Sequence, residues 1–406
     1  MNTTKQIELG LLEQKKYAPY LSARTPAPHK ENLTIEFVDL FSGIGGFHLG
    51  LEHAAHELGN RISLRFASDI NQAASDVYAE NYGDRPEGDV AKIASADASD
   101  VDLLFGGFPC QPFSNSGLKR GLDDERGGLF FEIKRLILGS RTRAAKGHVG
   151  PKAFLLENVA GLATNGASNA GLAQLHAVMP RKIGGTMVRL ESELKSMKDY
   201  DVAWKEVVSS DFGSPQVRRR VFILGIHRDF GVSAASLFPM GSSHRNPIRS
   251  IIEKRVVPGT ELNDNQRRNI LKDIKGSDGP SLRDGMRRVG RAYHCAGGNV
   301  GQCYHIDGLA PTLTVVWSHF LPLYFPGAKE RRPFASDQEY SPGAAFGSGH
   351  LRRATVRETL RLQGFPDDFR LLGKATENYE QAGNAVNVNV VTELLKPIVK
   401  AVTNSR

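Results

Sequence analysis

Residues 35–58 decide the fold; they read Ile35-Glu36-Phe37-Val38-Asp39-Leu40, then Phe41-Ser42-Gly43-Ile44-Gly45-Gly46, then FHLGLEHAAHEL. The first part is a β-rich apolar run, the second a glycine-rich turn, and the third carries apolar side chains at helical spacing. Glycines in such a turn let a ligand approach the backbone at the helix N-terminus, where free N–H groups point outward. The stretch therefore predicts a strand, a ligand-binding turn and a helix.

The same alternation continues to about residue 225. Amphipathic segments separate four more short β-rich runs, a pattern typical of parallel βαβ units in an α/β domain. These runs are Ser63 to Ala67, Val101 to Phe105, Ala153 to Leu156 and Val221 to Leu224.

The flanking segments have a different character. Residues 1–33 are polar, with a short helix predicted over Ile7 to Lys15. From Ile226 to His350 glycine, proline, serine and arginine become frequent, which predicts a separate, loop-rich module. Helices are predicted to resume over Ala354 to Leu362 and Val386 to Val402. The predicted organisation is an appended segment (1–33), an α/β domain (34–227 and 351–406) and a smaller module (228–350).

Composition limits the class of protein. The chain has 406 residues, of which 40% are hydrophobic, enough for a sizeable core. Its three cysteines form no disulfide framework, and it lacks both a signal-peptide h-region and an apolar run of the ~20 residues that span a bilayer. We therefore expect a cytoplasmic protein without a membrane span. The net charge of +8 permits a polyanionic partner such as nucleic acid.

The glycine turn favours one cofactor over another. A dinucleotide fingerprint, Gly-x-Gly-x-x-Gly, would place its third glycine where this chain has His48. Asp69 and Asp89 follow the next two units, and carboxylates there suit ribose hydroxyls, an adenine amino group and a sulfonium cation better than a diphosphate. S-adenosylmethionine fits that chemistry. Two alternatives stay open, a turn without a ligand and aspartates that only cap helices.

Cys110 stands where a nucleophile is expected. It lies in Gly106-Gly107-Phe108-Pro109-Cys110-Gln111-Pro112-Phe113-Ser114, the loop that leaves the apolar run Val101 to Phe105. Prolines on both sides fix the backbone, and a thiol at a strand end can ionise and attack an electrophile. The alternative is a small buried cysteine near a turn.

Six ordered motifs together resemble the DNA (cytosine-5)-methyltransferase family, in particular its bacterial restriction-modification members. Their order matches that of the family, and they cover about residues 35–227 and 351–400. Departures are Ala354, Val356 and Asn387, where the family usually has leucine, proline and proline. The motifs are Asp39-Leu40-Phe41-Ser42-Gly43-Ile44-Gly45-Gly46, Gly107-Phe108-Pro109-Cys110-Gln111-Pro112-Phe113-Ser114, Glu157-Asn158-Val159, Gln216-Val217-Arg218-Arg219-Arg220, Arg357-Glu358 with Leu362-Gln363-Gly364-Phe365-Pro366, and Gln381-Ala382-Gly383-Asn384-Ala385-Val386.

The resemblance implies a Rossmann-like, S-adenosylmethionine-dependent methyltransferase domain with a mostly parallel sheet, and a target-recognition domain at 228–350. It implies methylation of C5 of a flipped-out cytosine in a short double-stranded DNA sequence. The expected protein is a monomer and the modification enzyme of a restriction-modification system, with a cognate restriction endonuclease as a candidate partner. The mobile segment over the DNA would be the loop from Ser114 to Gly128.

The resemblance also implies residue roles. Cys110 would add to cytosine C6, Glu157 would donate a hydrogen bond or proton at N3, and Arg220 would bind the cytosine carbonyl oxygen. Arg218 would order the site beside Glu157. Without the resemblance, Glu157 would be interpreted as a helix cap or an ion-pair partner. The base that removes the C5 proton stays open. The implied cofactor-binding residues are Phe41, Gly43, Ile44, Gly46, Asp69, Ile70, Asp89, Val90, Pro109, Leu129, Asn384 and Val386.

The sequence leaves three alternatives to this function. The alternatives are a transfer-RNA cytosine-5 methyltransferase, a catalytically silent DNA-binding regulator and, disfavoured by His48, a nicotinamide-dependent oxidoreductase. The pairs His294-Cys295 and Cys303/His305 invite a zinc site, but their spacing fits no common zinc finger, so no metal is predicted. Candidate DNA contacts are Arg283, Arg287, Arg288 and Arg291.

Overall fold

The computed structural model describes residues 33–108, 128–139, 150–164, 185–254, 259–275, 281–292, 301–313, 321–326 and 350–404. Packing divides these residues into two compact units. The first unit takes its described residues from 33–208, 219–241 and 390–404, and the second from 209–218 and 242–389. Both units are therefore assembled from separate stretches of the chain. The functional domain boundaries predicted from the sequence stay a prediction.

The first unit contains a mostly parallel six-stranded sheet. Its strands are β1 (Thr34–Leu40), β2 (Arg61–Ser68), β3 (Leu103–Gly107), β4 (Ala153–Val159), β5 (Tyr200–Val208) and β7 (Arg219–His227). Their order is β2-β1-β3-β4-β7-β5, and the first four are mutually parallel. The predicted α/β class is thus confirmed.

The last two strands of this sheet correct the sequence analysis. The run Val221 to Leu224 belongs to β7, which is antiparallel to both β4 and β5 and so closes no parallel βαβ unit. Strand β5 was missed. It lies at the sheet edge, and most of its residues are only half-buried, so it lacks the continuous apolar run that marks a buried strand.

Helices cover the first sheet around an apolar core. The C-terminal helix, Val388–Thr403, packs closely on the helix Gly46–Glu57. A Cβ at Gly50 would lie 2.4 Å from Val391 Cγ1, so this position has no room for a larger residue than glycine. An ion pair of 2.6 Å joins Lys396 to Glu57 at the same contact. The helices are α1 (Gly46–Glu57), α2 (Gln72–Tyr82), α3 (Gly128–Leu138), α4 (Gly161–Thr164), α5 (Gly185–Lys195) and α9 (Val388–Thr403).

The second unit has a five-stranded sheet of its own. The strand order is β13 (His350–Arg353), β12 (Pro322–Phe325), β10 (Gln302–His305), β9 (Met286–Arg291) and β8 (Ser281–Arg283). Helix α6 packs on it through a cluster that includes Ile270, Ile274, Val289 and Tyr324. The sequence analysis predicted loops here because the strands are too short to show a period, β8 having three residues and β10 four. The elements are β6 (Gln216–Val217), α6 (Asp264–Lys275), β8 (Ser281–Arg283), β9 (Met286–Arg291), β10 (Gln302–His305), β11 (Ala310–Pro311), β12 (Pro322–Phe325), β13 (His350–Arg353), α7 (Val356–Leu362) and α8 (Ala375–Asn384).

Three helix predictions need comment. Helix α7 begins at Val356 rather than Ala354, because Thr355 caps it and Glu358 returns the hydrogen bond in a capping box. The final helix begins at Val388, so Asn384 closes α8 instead of opening the last helix. The predicted helix over Ile7 to Lys15 lies outside the described residues. Among the described helices, none has the length and apolar character needed to cross a membrane.

Candidate active site

The glycine turn leaves β1 in a left-handed backbone conformation. Phe41 has a φ of +53°, Gly43 of +55° and Gly45 of +86°. Phenylalanine rarely adopts this conformation, which concentrates backbone strain at the predicted binding turn. A Cβ at Gly43 would meet no atom within 4 Å, so that face of the turn is open. Ile44, in contrast, is buried in the core, and Gly46 begins α1.

Asp69 holds the turn from the neighbouring strand. Its Oδ2 accepts the backbone N–H of Gly43 at 2.8 Å, and its Oδ1 accepts that of Asn71 at 2.7 Å. Burial raises the pKa of Asp69. The adjacent Ile70 is 75% exposed, which is unusual for a large apolar side chain. The structure therefore brings the predicted residues Gly43, Asp69 and Ile70 to one place.

Asp39, at the end of β1, carries a buried carboxylate. It is fully buried, and neither oxygen forms a hydrogen bond of normal geometry within the described part of the chain. Burial, and after it the negative charge of Asp69, raises the pKa of Asp39 to about 8, while the backbone N–H of His48 offsets part of this rise. At pH 7 Asp39 is therefore mostly protonated, and a cation bound beside Asp39 and Asp69 would favour their ionised forms. Their chemistry fits the sulfonium and ammonium groups of S-adenosylmethionine.

Replacing Asp39 by asparagine is expected to change how stability depends on pH. The pKa in the folded state, about 8, exceeds the ordinary value of 3.8. Between these pH values the carboxyl group of Asp39 ionises in the unfolded protein but stays protonated in the folded one, so the wild type loses stability as pH rises. The free energy of unfolding of Asp39→Asn minus that of the wild type should rise over this range by at most about 1.4 kcal/mol per pH unit. Urea titrations at pH 5, 6.5 and 8 measure this; a difference independent of pH would contradict it.

Four more predicted cofactor residues of the first unit are described, namely Phe41, Asp89, Val90 and Leu129. Asp89 Oδ1 accepts the backbone N–H of Ala91 at 3.0 Å, so the helix-cap alternative is realised in a short 3₁₀ helix. Its other oxygen has no role in that cap. Val90 is buried in the first-unit core, and half-buried Phe41 and Leu129 pack against the same core.

Glu157 and Arg220 form an ion pair at the ends of two adjacent strands. Arg220 Nε lies 2.8 Å from Glu157 Oε1, and their side chains are 15% and 13% exposed. Glu157 of β4 pairs in register with Gly107 of β3, and a Cβ at Gly107 would lie 3.8 Å from Glu157 Oε2. Glu157 thus lies beside the strand end that leads into Pro109 and Cys110. Those two residues lie outside the described residues.

Asn158 anchors the chain that approaches Cys110. It is buried, and its side-chain Nδ2 donates a hydrogen bond of 3.1 Å to the carbonyl oxygen of Phe108. Its Oδ1 accepts the backbone N–H of Val159 at 2.8 Å. The sequence analysis assigned Asn158 no role, although its place inside the motif Glu157-Asn158-Val159 was a signal.

Arg218 belongs to the second unit. It lies between β6 and β7. Its guanidinium is buried and donates to the carbonyl oxygens of Leu313 at 3.2 Å and Ala385 at 3.0 Å. Arg218 thus links three segments of the second unit. Its role beside Glu157 stays a prediction.

Two other second-unit predictions have partial outcomes. Cys303 is buried in β10 and His305 Nδ1 accepts the backbone N–H of Asp307 at 3.2 Å, while His294 and Cys295 lie outside the described residues. The described residues contain no cluster able to hold a metal ion. Asn387, at a family proline position, donates to the carbonyl oxygen of Leu362 at 3.0 Å. The cofactor roles of Asn384 and Val386 stay predictions.

Comparisons with known proteins identify a family. Residues 35–400 match the family described as C-5 cytosine-specific DNA methylase. The chain is similar to the type II methyltransferase M.SsoII of Shigella sonnei, with 30% identity over 92% of this chain and 82% of that one. M.HhaI of Haemophilus parahaemolyticus has 27% identity over 89% of this chain and 93% of its own.

Solved structures show the same fold. The Entamoeba histolytica methyltransferase EhMeth has a TM-score of 0.61 with 15% identity, covering 91% of this chain and 99% of its own. The S. pombe Dnmt2 methyltransferase has a TM-score of 0.57 with 19% identity, covering 90% and 98%. The family match spans most of the chain, and the curated relatives match it along nearly its whole length. The protein therefore belongs to the C-5 cytosine-specific DNA methylase family.

Proposed function

We propose that the protein transfers a methyl group from S-adenosylmethionine to C5 of cytosine within a short double-stranded DNA sequence, as the modification enzyme of a restriction-modification system. The observation that carries this proposal is the Glu157–Arg220 ion pair of 2.8 Å beside the strand end that leads into Cys110. The match to a family described as DNA methylase, together with relatives named type II methyltransferases, supports DNA rather than RNA as the substrate.

The cofactor would bind at the glycine turn. When bound, S-adenosylmethionine supplies an electrophilic methyl group. The open face at Gly43 would admit it, and the exposed side chain of Ile70 would cover an apolar face. The positive charge of the cofactor would favour ionisation of Asp39 and Asp69, whose carboxylates would then balance that charge. Asp89, with one oxygen outside the helix cap, remains a candidate for a polar contact.

Methylation at C5 requires prior activation of the ring. C5 of cytosine is a poor nucleophile, so the thiolate of Cys110 would first add to C6, turning C5 into an enamine carbon. Glu157 would donate a hydrogen bond or proton at N3, where negative charge develops, and Arg220 would bind the carbonyl oxygen of the base. Asn158 would keep the backbone before Cys110 in place. Methyl transfer to C5 would leave S-adenosylhomocysteine. A base, whose identity stays open, would then take the C5 proton, so that the C6–S bond breaks, the C5–C6 double bond forms again and Cys110 leaves as a thiolate.

A buried base cannot present C6 to a thiolate, so the cytosine must leave the duplex. Flipping a base out costs a few kcal/mol, which contacts to the DNA have to offset. The net charge of +8 is suited to phosphate contacts of this kind. A monomeric enzyme with a separate nuclease partner completes the proposal.

Bisulfite sequencing tests the reaction and its target together. A bacterial host that lacks DNA methylation would express the full chain, and a matched host would carry the empty vector. We expect protected cytosines confined to one short motif in the first host. A soluble, folded protein that protects no DNA cytosine would contradict the proposal, and protection of cytosines in RNA would instead support the transfer-RNA alternative.

A further inference from the structure

Tyr82, the last residue of α2, reaches back to the glycine turn. Its hydroxyl donates a hydrogen bond of 2.9 Å to the carbonyl oxygen of Gly45. Its ring also fills the space beside Gly45, because a Cβ there would lie 2.2 Å from ring atom Cε2. Together with the φ of +86°, this contact restricts the position to glycine.

Helix α2 therefore holds the turn at two points. Asp69, just before the helix, accepts the N–H of Gly43, and Tyr82, at its end, donates to Gly45. Asn71 caps the helix by accepting the N–H of Ala74, which ties the first contact to the helix itself. Two contacts from one helix fix the turn more firmly than either contact does alone.

Tyr82 is itself held by an aromatic cluster. Its ring stacks on His48 with centroids 4.0 Å apart, and His48 Nδ1 lies 2.7 Å from the hydroxyl of Tyr78. Burial lowers the pKa of His48 to about 4, so its ring is neutral at pH 7. The hydroxyl of Tyr78 thus bonds within the cluster, whereas that of Tyr82 bonds to the turn.

The Gly45 carbonyl oxygen accepts two hydrogen bonds, from Tyr82 and from the backbone N–H of Leu49 at 3.0 Å. Fixing this carbonyl also fixes the N–H of Gly46, because the two groups of a trans peptide point in opposite directions. That N–H belongs to the first turn of α1, where helix N–H groups have no partner within the helix and favour anionic groups.

We propose that Tyr82 is a positioning residue for the cofactor, acting through the Gly45 carbonyl on the glycine turn where the cofactor would bind. The inference rests on the proposed function. The hydroxyl of Tyr82 sets the orientation of the Gly45–Gly46 peptide before the cofactor arrives. Without the hydroxyl, the ring still fills the space beside Gly45, but the Gly45 carbonyl keeps only the hydrogen bond from Leu49.

The test compares two variants that each remove one tyrosine hydroxyl, Tyr82→Phe and Tyr78→Phe. Binding of S-adenosylhomocysteine to the full-length protein without DNA is measured by calorimetry, and unfolding by urea. Tyr82→Phe should weaken binding about 3- to 10-fold, the effect of losing one hydrogen bond. Tyr78→Phe should change binding less than about 2-fold, although it should lower the free energy of unfolding about as much as Tyr82→Phe does. With DNA present, Tyr82→Phe should raise KM for S-adenosylmethionine and leave kcat unchanged.

The outcomes separate the two proposals. A wild-type protein that binds no S-adenosylhomocysteine would overturn the proposed function and the role of Tyr82 with it. A wild-type protein that binds, with Tyr82→Phe binding equally well, would overturn only the role of Tyr82. Equal weakening in both variants would also overturn it, because the effect would then come from the aromatic cluster and not from the bond to Gly45.

Discussion

Replacing Cys110 by serine is expected to lower the rate of methyl transfer by on the order of 10⁴- to 10⁶-fold, as for loss of a covalent nucleophile. A serine hydroxyl does not ionise near neutral pH, whereas a thiol can, so the addition at C6 loses its nucleophile. Asn158 still holds the Phe108 carbonyl, so the backbone before residue 110 keeps its anchor. Single-turnover transfer of labelled methyl groups to DNA measures the rate.

The matched control is Cys303→Ala. Cys303 is buried in β10, and burial raises the pKa of its thiol, so it is not ionised at neutral pH. This variant should keep the wild-type rate wherever it is folded. The methyl-transfer rate of Glu157→Gln should lie between those of Cys110→Ser and Cys303→Ala, about 10²- to 10⁴-fold below the wild-type rate, as for loss of acid catalysis. A Cys110→Ser protein within tenfold of the wild-type rate would disprove the covalent mechanism.

Replacing Glu358 by glutamine is expected to lower the free energy of unfolding by about 3–5 kcal/mol, the effect of leaving one partner of a buried ion pair without the other. Glu358 is fully buried, and Arg352 donates to both of its oxygens, at 2.7 and 2.6 Å. The carboxylate also accepts the backbone N–H groups of Glu253 and Thr355, each at 2.9 Å. Urea unfolding measures the loss.

The chain supplies its own control for this prediction. Arg361 and Asp367 are also six residues apart and form the same two-bond contact, at 2.6 and 2.8 Å, but Asp367 is half-exposed. Asp367→Asn should therefore lower stability by less than about 1 kcal/mol. The double variant Arg352→Met/Glu358→Gln should recover part of the loss. Equal effects of Glu358→Gln and Asp367→Asn would show that burial does not decide the strength of the pair.

The sequence predicted the elements whose pattern is local. The run Ile35 to Leu40 and the turn after it show both apolar period and glycine spacing, and both lie where predicted, as does the first half of the sheet. Helix α9 also matches its apolar pattern to within two residues at its start, Val388 in place of Val386. Elements with a continuous apolar face can be read from one stretch of chain.

The rest depends on contacts between distant residues. The antiparallel direction of β7 comes from its pairing with β5, which no short pattern reveals. The link from Arg218 to Ala385 joins residues 167 positions apart, and that from Tyr82 to Gly45 joins residues 37 apart. A basic residue before a strand and a tyrosine at a helix end look like ordinary surface positions until the fold brings their partners together.

The discontinuous units described above have a consequence for synthesis. Because the first unit needs residues 390–404, with Val391 packed against Gly50, it cannot complete its core until these residues have left the ribosome. Until then, the apolar surface that α9 covers in the first unit stays exposed, a state that favours aggregation and the binding of chaperones. Fragments cut at 208 or 241 would each carry an incomplete core, so neither unit can be produced as one continuous piece of the natural chain.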